Sequence, residues 1–349
     1  MKITLKKKIQ ISSNSKPIVI AEISGNHSGN KKNFLKHIVS ASKNGADLVK
    51  IQTYEPEDIT IKNFNKKFLI KNGIWKNKSL WEIYKKAYTP FSWHKDAFKV
   101  ARRNRIILFS SPFSKRAVDL LEKFKVPVYK IASIEITDFQ LIDYIAQKNK
   151  PIILSTGMSS IDEVKKAIKV IRKYHNKIII LYCVSGYPTK EKDSNLNTLR
   201  YYKKVFKNYN IGISDHTDDI ITSLTASALG AKVIEKHFII SKKSKTVDSK
   251  FSIDAKQLKE LHSKVQRVHQ SLGGYYKKIQ KVEKDNLKYR RSIFAIKDIK
   301  KGERLTEKNI ASFRPKIGIN SNRFFHILGR KVKNNIKKFN PIFEKEIRR

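Results

Sequence analysis

Cysteine is almost missing from this chain: Cys183 stands alone among 349 residues. No disulfide can form within the chain, and no paired-cysteine metal site exists. Acidic residues are scarce too, with 30 Asp and Glu against 75 Lys and Arg, for a formal net charge of +45. No apolar run approaches the roughly 20 residues of a membrane span. The basic opening Met1 to Gln10 leads into Ile11-Ser12-Ser13-Asn14, not into the unbroken apolar core of a secretory signal. Internal repeats are absent, as is any low-complexity tract beyond the lysine bias. The expectation is a soluble protein of the reducing cytoplasm, without a membrane partner. A lysine excess suits phosphate binding by a nucleic-acid partner, but the lysines are spread over nearly every candidate helix face. Such a distribution solvates the surface, so no nucleic-acid partner is expected, although a positive field also steers anionic substrates inward.

Short β-branched runs alternate with amphipathic stretches. Strands are expected at Pro17 to Ile23, Leu48 to Thr53, Ile106 to Ser110, Val126 to Ile131, Pro151 to Thr156, Lys177 to Val184, Asn210 to Ser214 and Lys232 to Phe238. Helices are expected between them, including Lys31 to Asn44, Ser114 to Phe124, Ile161 to Tyr174 behind a Ser160/Glu163 capping box, and Ala255 to Leu272. Eight strands each followed by a helix is the count of a (β/α)8 TIM barrel. An open doubly wound sheet would carry a Gly-rich fingerprint after its first strand, where this chain has Asn26-His27-Ser28-Gly29. The segment Ile59 to Pro90 is long for a βα connection and holds Trp75, Trp81, Tyr84 and Tyr88; it reads as a lid, a substrate wall or a packed extra helix. The expected division is a barrel over 1–275, a charged linker over 276–289 and a small domain over 290–349. In that domain Ser292 to Ile296 is strand-like and Thr306 to Asn309 could start a short helix.

Apolar runs lead repeatedly into polar groups. Glu22 shares a face with Ile18 and Ile20, Lys50 with Gln52, and Glu235 with His237. His216 and His237 end neighbouring strands, and two imidazoles with carboxylates nearby suit a divalent ion that keeps positions open for substrate oxygens. Lys50 and Lys130 each end an apolar run, where an ammonium must meet an anion or snorkel. With the hydroxyls of Ser111, Ser133, Ser155 and Ser214 they fit a small phosphate and carboxylate dianion; pairing with Glu22 or Glu135 is the structural alternative.

The motifs resemble the sialic acid synthase family, in order and over almost the whole chain. They are Ile20-Ala21-Glu22 with Asn26-His27, Lys50-Ile51-Gln52-Thr53, Ser110-Ser111-Pro112-Phe113, Tyr129-Lys130-Ile131-Ala132-Ser133 with Glu135, Ser155-Thr156-Gly157-Met158, Tyr187-Pro188, Ser214-Asp215-His216-Thr217 and Glu235-Lys236-His237-Phe238. Arg291-Ser292 and Ser312-Phe313-Arg314-Pro315 resemble the family's C-terminal antifreeze-like (SAF) domain. The resemblance implies condensation of phosphoenolpyruvate with an acetamido sugar aldehyde to a nonulosonic acid. It implies a manganese-like ion on His216 and His237, with magnesium or cobalt as alternatives. It also implies a dianion site of Lys50, Lys130, Ser111, Ser133, Ser155 and Ser214, proton handling by Glu22 and Glu135, and a sugar side of Gln52, Tyr187 and Asp248. Arg314 would serve the sugar of a partner subunit in a domain-swapped homodimer.

Tyr54 to Thr60, Gly73-Ile74-Trp75, Leu80 to Tyr84 and Thr89-Pro90 with Trp93-His94 are most similar to the pseudaminic acid synthase branch. The N-acetylneuraminate branch has His where this chain has Tyr54 and Asn where it has Ser185. Ile74, Trp75, Trp81 and Tyr84 would then wall the methyl group of a 6-deoxy diacetamido altrose. The alternatives are an N-acetylneuraminate or legionaminate synthase, an aldolase cleaving a keto sugar acid without phosphate release, and a polyanion-binding barrel with no metal requirement.

Overall fold

Strict alternation along eight short strands builds this molecule. The computed structural model describes residues 2–5, 9–71, 75–274 and 277–348. The chain divides into two compact units, Met1–Gly273 and Gly274–Arg349.

The first unit opens with an antiparallel hairpin of β1 (Ile3–Leu5) and β2 (Ile9–Ile11). Eight parallel strands follow: β3 (Ile18–Glu22), β4 (Leu48–Thr53), β5 (Ile107–Pro112), β6 (Tyr129–Ile131), β7 (Ile152–Ser155), β8 (Ile178–Cys183), β9 (Asn210–Asp215) and β10 (Val233–His237). They close into a barrel in sequential order, β10 pairing with both β9 and β3. All eight lie where the sequence places them. The intervening helices are α1 (Lys31–Lys43), α2 (Leu80–Ala87), α3 (His94–Arg103), α4 (Lys115–Lys123), α5 (Phe139–Ala146), α6 (Ile161–Arg172), α7 (Asn197–Val205), α8 (Ile221–Ala228) and α9 (Ala255–Leu272). Their starts follow from side-chain caps. The Asn30 carboxamide accepts from Asn33, and Ser160 with Glu163 and Asp254 with Gln257 form reciprocal capping boxes. Within the aromatic insertion, Ser79 and Glu82 cap α2 in the same way.

Both faces of each strand are covered, so each reads as a continuous apolar run. Outward residues such as Val19, Val49, Leu108, Leu154 and Ile180 pack against the helices. Inward residues Ile18, Ile20, Leu48, Phe109, Ile153, Leu181 and Val233 fill the barrel, joined by Ile3, Leu5 and Ile11 of the hairpin. That hairpin is a structural plug which sequence reading had seen only as a basic opening. Above the apolar layers the inward positions turn polar: Glu22, Lys50, Ser111, Lys130, Ser155, Ser214 and Glu235 are all buried. This is the C-terminal mouth of the barrel.

In the second unit, β11 (Ser292–Ala295) pairs antiparallel with β12 (Ile310–Phe313), and a short helix α10 spans Phe324–Ile327. Ile293, Ala295, Ile299, Leu305, Ile310 and Val332 are among its core residues. The charged stretch read as a linker carries a 3-10 segment, Lys281–Tyr289. Thr306 to Asn309 forms a turn and not a helix. The Asn309 carboxamide accepts from the Thr306 amide at 2.7 Å and donates to the Arg304 carbonyl at 2.9 Å, which holds the chain for entry into β12.

Gly212 is an inward position in β9 where no side chain fits. A Cβ there would lie 2.3 Å from the Val233 carbonyl oxygen and 2.6 Å from Leu181 Cδ2. Gly212→Ala should therefore destabilise the barrel by about 1–3 kcal/mol. All three tryptophans, Trp75, Trp81 and Trp93, lie in this unit, so urea unfolding followed by their fluorescence measures the loss.

Candidate active site

Closing the barrel brings side chains from distant strands into one charged cluster. Strand register sets Glu22 beside Lys50 and beside His237, and Glu235 beside Ser214. Lys50 Nζ lies 2.9 Å from Glu22 Oε2 and donates to Glu235 Oε1 at 2.9 Å. Lys130 Nζ stands 3.9 Å from that same Glu235 oxygen and donates to the Ile131 carbonyl at 3.0 Å. Ser214 Oγ donates to Glu235 Oε1 at 3.1 Å. Burial pushes the Lys50 ammonium down to about 8 despite the opposing pull of Glu235. Burial pushes Glu235 upward, but Lys130 and Lys50 outweigh it and hold the carboxyl near 2. The structural alternative for the lysines is thus partly realised, with Glu235 in place of Glu135 as the shared partner.

The cluster still leaves polar atoms unsatisfied. Among the described residues, Glu22 Oε1, Glu135 Oε2, Glu235 Oε2, Ser111 Oγ, Ser155 Oγ and His237 Nδ1 are buried without a hydrogen bond or ion pair. Each such group costs about 1–3 kcal/mol, so their gathering at one barrel mouth marks a site shaped for a polar ligand. Ser133 contributes from the β6 side, its hydroxyl accepting from the Gly157 amide at 3.0 Å. Gly157 is required there, because a Cβ would meet Ser185 Oγ at 2.1 Å and Ser133 Oγ at 2.9 Å.

The imidazoles of His216 and His237 face one another with ring centroids 5.4 Å apart. His216 Nδ1 lies 2.9 Å from the Val184 carbonyl, which can only accept, so Nδ1 carries a proton and Nε2 is the nitrogen that gains a lone pair when the ring is neutral. Burial works against the charged ring, but the neighbouring Cys183 and the Val184 carbonyl raise the His216 imidazole above its ordinary value. Burial, then the charges of His216 and Lys50, hold His237 far below its ordinary value and therefore neutral. Among the described residues no group of three or more His, Cys, Asp or Glu converges. Two neutral-capable imidazoles fit an ion whose remaining ligands are substrate or water oxygens. Around the pair stand Tyr187, 4.5 Å from His216 between ring centroids, and Phe251, 4.8 Å from His237. Asp248 is buried and accepts from the Gly25 amide at 3.0 Å, and burial raises its carboxyl. The only cysteine, Cys183, sits buried with its sulfur 3.7 Å from His216 Nδ1.

The barrel therefore gathers Glu22, Lys50, Ser111, Lys130, Ser133, Ser155, Ser214, His216 and His237 at one end. Gln52 pairs in register with Ser111 and is half-buried, and Glu135 follows β6 on a 3-10 turn. Of the insertion, Trp75 approaches Tyr187 with centroids 6.0 Å apart, and Tyr84 lies within electrostatic reach of Glu135. Trp81 instead meets Lys62 at 6.0 Å. Ile74 lies outside the described residues. Arg314 belongs to the second unit and is exposed directly after β12. Sequence reasoning left Glu235 without a role, although its alternation with His237 placed it inward. Phe251 was missed altogether, since nothing local separates a lining aromatic from a packed one. Lys236, counted with the polar strand end, points outward to Asp215 at 3.0 Å, away from the mouth.

Burial raises the Glu135 carboxyl from 4.5 to about 7, against the pull of Lys130. The folded state thus holds this proton more tightly than the unfolded chain, and the stability it contributes is complete below about 4.5 and lost as pH rises through about 7. Compared with Glu135→Gln, the wild type should lose unfolding free energy across that window, as measured by urea titrations at stepped pH.

Comparison with known proteins agrees with this geometry. The NeuB family profile matches residues 37–277, and the SAF domain profile matches residues 290–348. A pseudaminic acid synthase of Campylobacter jejuni is 40% identical over 92% of this chain and 94% of its own length. A pseudaminic acid synthase of Helicobacter pylori is 39% identical over 95% of this chain and 98% of its own. The crystal structure of an N-acetylneuraminic acid synthetase from Leptospira borgpetersenii, in complex with citrate, superposes with a TM-score of 0.74 at 28% identity, covering 82% of this chain and 95% of that one. The chain with this charged barrel mouth belongs to the NeuB family, the sialic acid synthases, and is an enzyme of that family.

Proposed function

We propose that the protein is a pseudaminic acid synthase, condensing phosphoenolpyruvate with 2,4-diacetamido-2,4,6-trideoxy-L-altrose and water to give pseudaminic acid and phosphate. The observation that carries the sugar assignment is the likeness, over more than nine-tenths of both chains, to two relatives named for that product. The chemistry is supported by a mouth that holds two buried ammonium groups, two free serine hydroxyls and a raised carboxyl.

Lys50 and Lys130, with Ser111, Ser133, Ser155 and Ser214, bind and orient the phosphoenolpyruvate dianion. Gln52, Tyr187 and Asp248 orient the open-chain sugar. His216 and His237 would hold a divalent ion, manganese first and magnesium or cobalt as alternatives, which would supply Lewis acidity toward the aldehyde oxygen. Carbon 3 of phosphoenolpyruvate bonds to the aldehyde carbon, whose oxygen gains a proton. Water then adds to carbon 2 and gives up a proton, and the carbon 2–oxygen bond breaks to release phosphate. Glu22 and Glu135 are the carboxylates that hold and move these protons, and a carboxyl near 7 both gives and takes one at neutral pH. The ammonium groups stabilise the departing phosphate in a site poor in water, where charge interactions are largest.

Offered the diacetamido altrose and N-acetylmannosamine together, the enzyme should release phosphate and yield mainly pseudaminic acid by mass spectrometry. One methyl-sized difference discriminates by only about 1–3 kcal/mol, so minor products are expected. Predominant N-acetylneuraminate would transfer the chain to that neighbouring activity. Exhaustive chelation should stop phosphate release, with manganese restoring it; full activity without metal would remove the ion from the reading. Lys130→Ala should lower kcat/KM for phosphoenolpyruvate by about 10²–10³-fold, and an unchanged value would exclude that lysine.

We further propose a homodimer in which Arg314 of one copy serves the sugar bound by the other. Truncation after Asn286 should leave a folded barrel without activity. Arg314→Ala should impair sugar use more than phosphoenolpyruvate use, and a fully active monomer would refute the arrangement.

A further inference from the structure

Immediately before each histidine of the mouth stands a charged residue that faces the other way. Asp215 precedes His216 and Lys236 precedes His237, and the two are paired across the β9–β10 register. Lys236 Nζ lies 3.0 Å from Asp215 Oδ2, and both side chains are fully buried. The remaining hydrogen bonds of the pair are made with Thr217 and Ser223. Thr217 donates to Asp215 Oδ1 from its amide at 2.9 Å and its hydroxyl at 2.8 Å, and Ser223 of α8 donates to Oδ2 at 2.5 Å. Lys236 also donates to the Thr217 carbonyl and hydroxyl. The network is closed, lies outside the barrel mouth, and has no group left over for a substrate.

Stability alone does not account for such a pair, since apolar residues of similar volume commonly serve as well or better in a buried site. What the pair does is tie β9 to β10 at the last pair of their shared register, one peptide away from each imidazole. A shared ion tolerates nitrogen displacements of only about 0.5 Å. We propose that Asp215 and Lys236 are positioning residues that set the separation and orientation at which His216 and His237 take a divalent ion. The inference rests on reading that histidine pair as metal ligands.

The test titrates manganese alone into the full-length protein and reads free manganese by electron paramagnetic resonance. Wild type should bind and His237→Ala should not; if neither or both bind, the metal reading itself fails. With that control in place, the apolar double variant Asp215→Leu/Lys236→Met should unfold cooperatively yet bind manganese about 10–100-fold more weakly. Its affinity for phosphoenolpyruvate without metal should be unchanged, because Lys50 and Lys130 are untouched. Wild-type manganese affinity in the double variant overturns the inference, as does an equal loss of phosphoenolpyruvate binding, which would signal a merely structural role. If the double variant does not fold, Thr217→Val decides: it removes only the hydroxyl from the network and should weaken manganese binding several-fold, whereas unchanged affinity overturns the inference.

Discussion

Everything at the barrel mouth depends on one desolvated charge arrangement, Glu235 held between Lys50 and Lys130. An isolated carboxylate at that depth would be neutralised by the cost of burial. Two ammonium groups and the Ser214 hydroxyl keep it ionised instead. In return Glu235 and Glu22 keep Lys50 in place. The arrangement is incomplete, since among the described residues Glu22 Oε1, Glu235 Oε2 and the hydroxyls of Ser111 and Ser155 are buried without a hydrogen bond. Such a mouth suits a ligand rich in charge and oxygen.

The strand β10 shows how one short segment serves two purposes. Its odd positions Val233, Glu235 and His237 run from the barrel core to the mouth, while Ile234 and Lys236 face the helical layer. Charge is therefore compensated twice on the same strand, once toward substrate and once toward α8. Period-two geometry lets adjacent residues occupy these separate environments without interference.

Much of this was legible beforehand. Apolar runs such as Lys177 to Val184 are long enough for a strand and too short for a helix, and the Ser160/Glu163 capping box marks a helix start by local chemistry alone. The polar ends of those runs pointed to the mouth because alternation assigns Glu22, Lys50 and His237 to one side. Other features were hidden. The hairpin of β1 and β2 earns its place by packing Ile3, Leu5 and Ile11 under the barrel, a contact far from them in sequence. The turn at Thr306 to Asn309 follows from a side-chain network with Glu303 and Arg304 that outcompetes helix.

The sequence by itself determined the eight barrel strands, the shared face of residues such as Glu22, Lys50 and His237, and the chemical kinds of group at the mouth, because these follow from local periodicity and from the cost of burying charge. Only the tertiary structure decided which groups meet. Lys50 and Glu235 are 185 residues apart along the chain, and Phe251 reaches His237 from a short 3-10 segment, Ser249–Phe251, with no motif of its own. Closure of β10 onto β3 decides these encounters, and it is a property of the whole barrel: strand tilt and register, set by all eight strands together, fix which side chains share a layer.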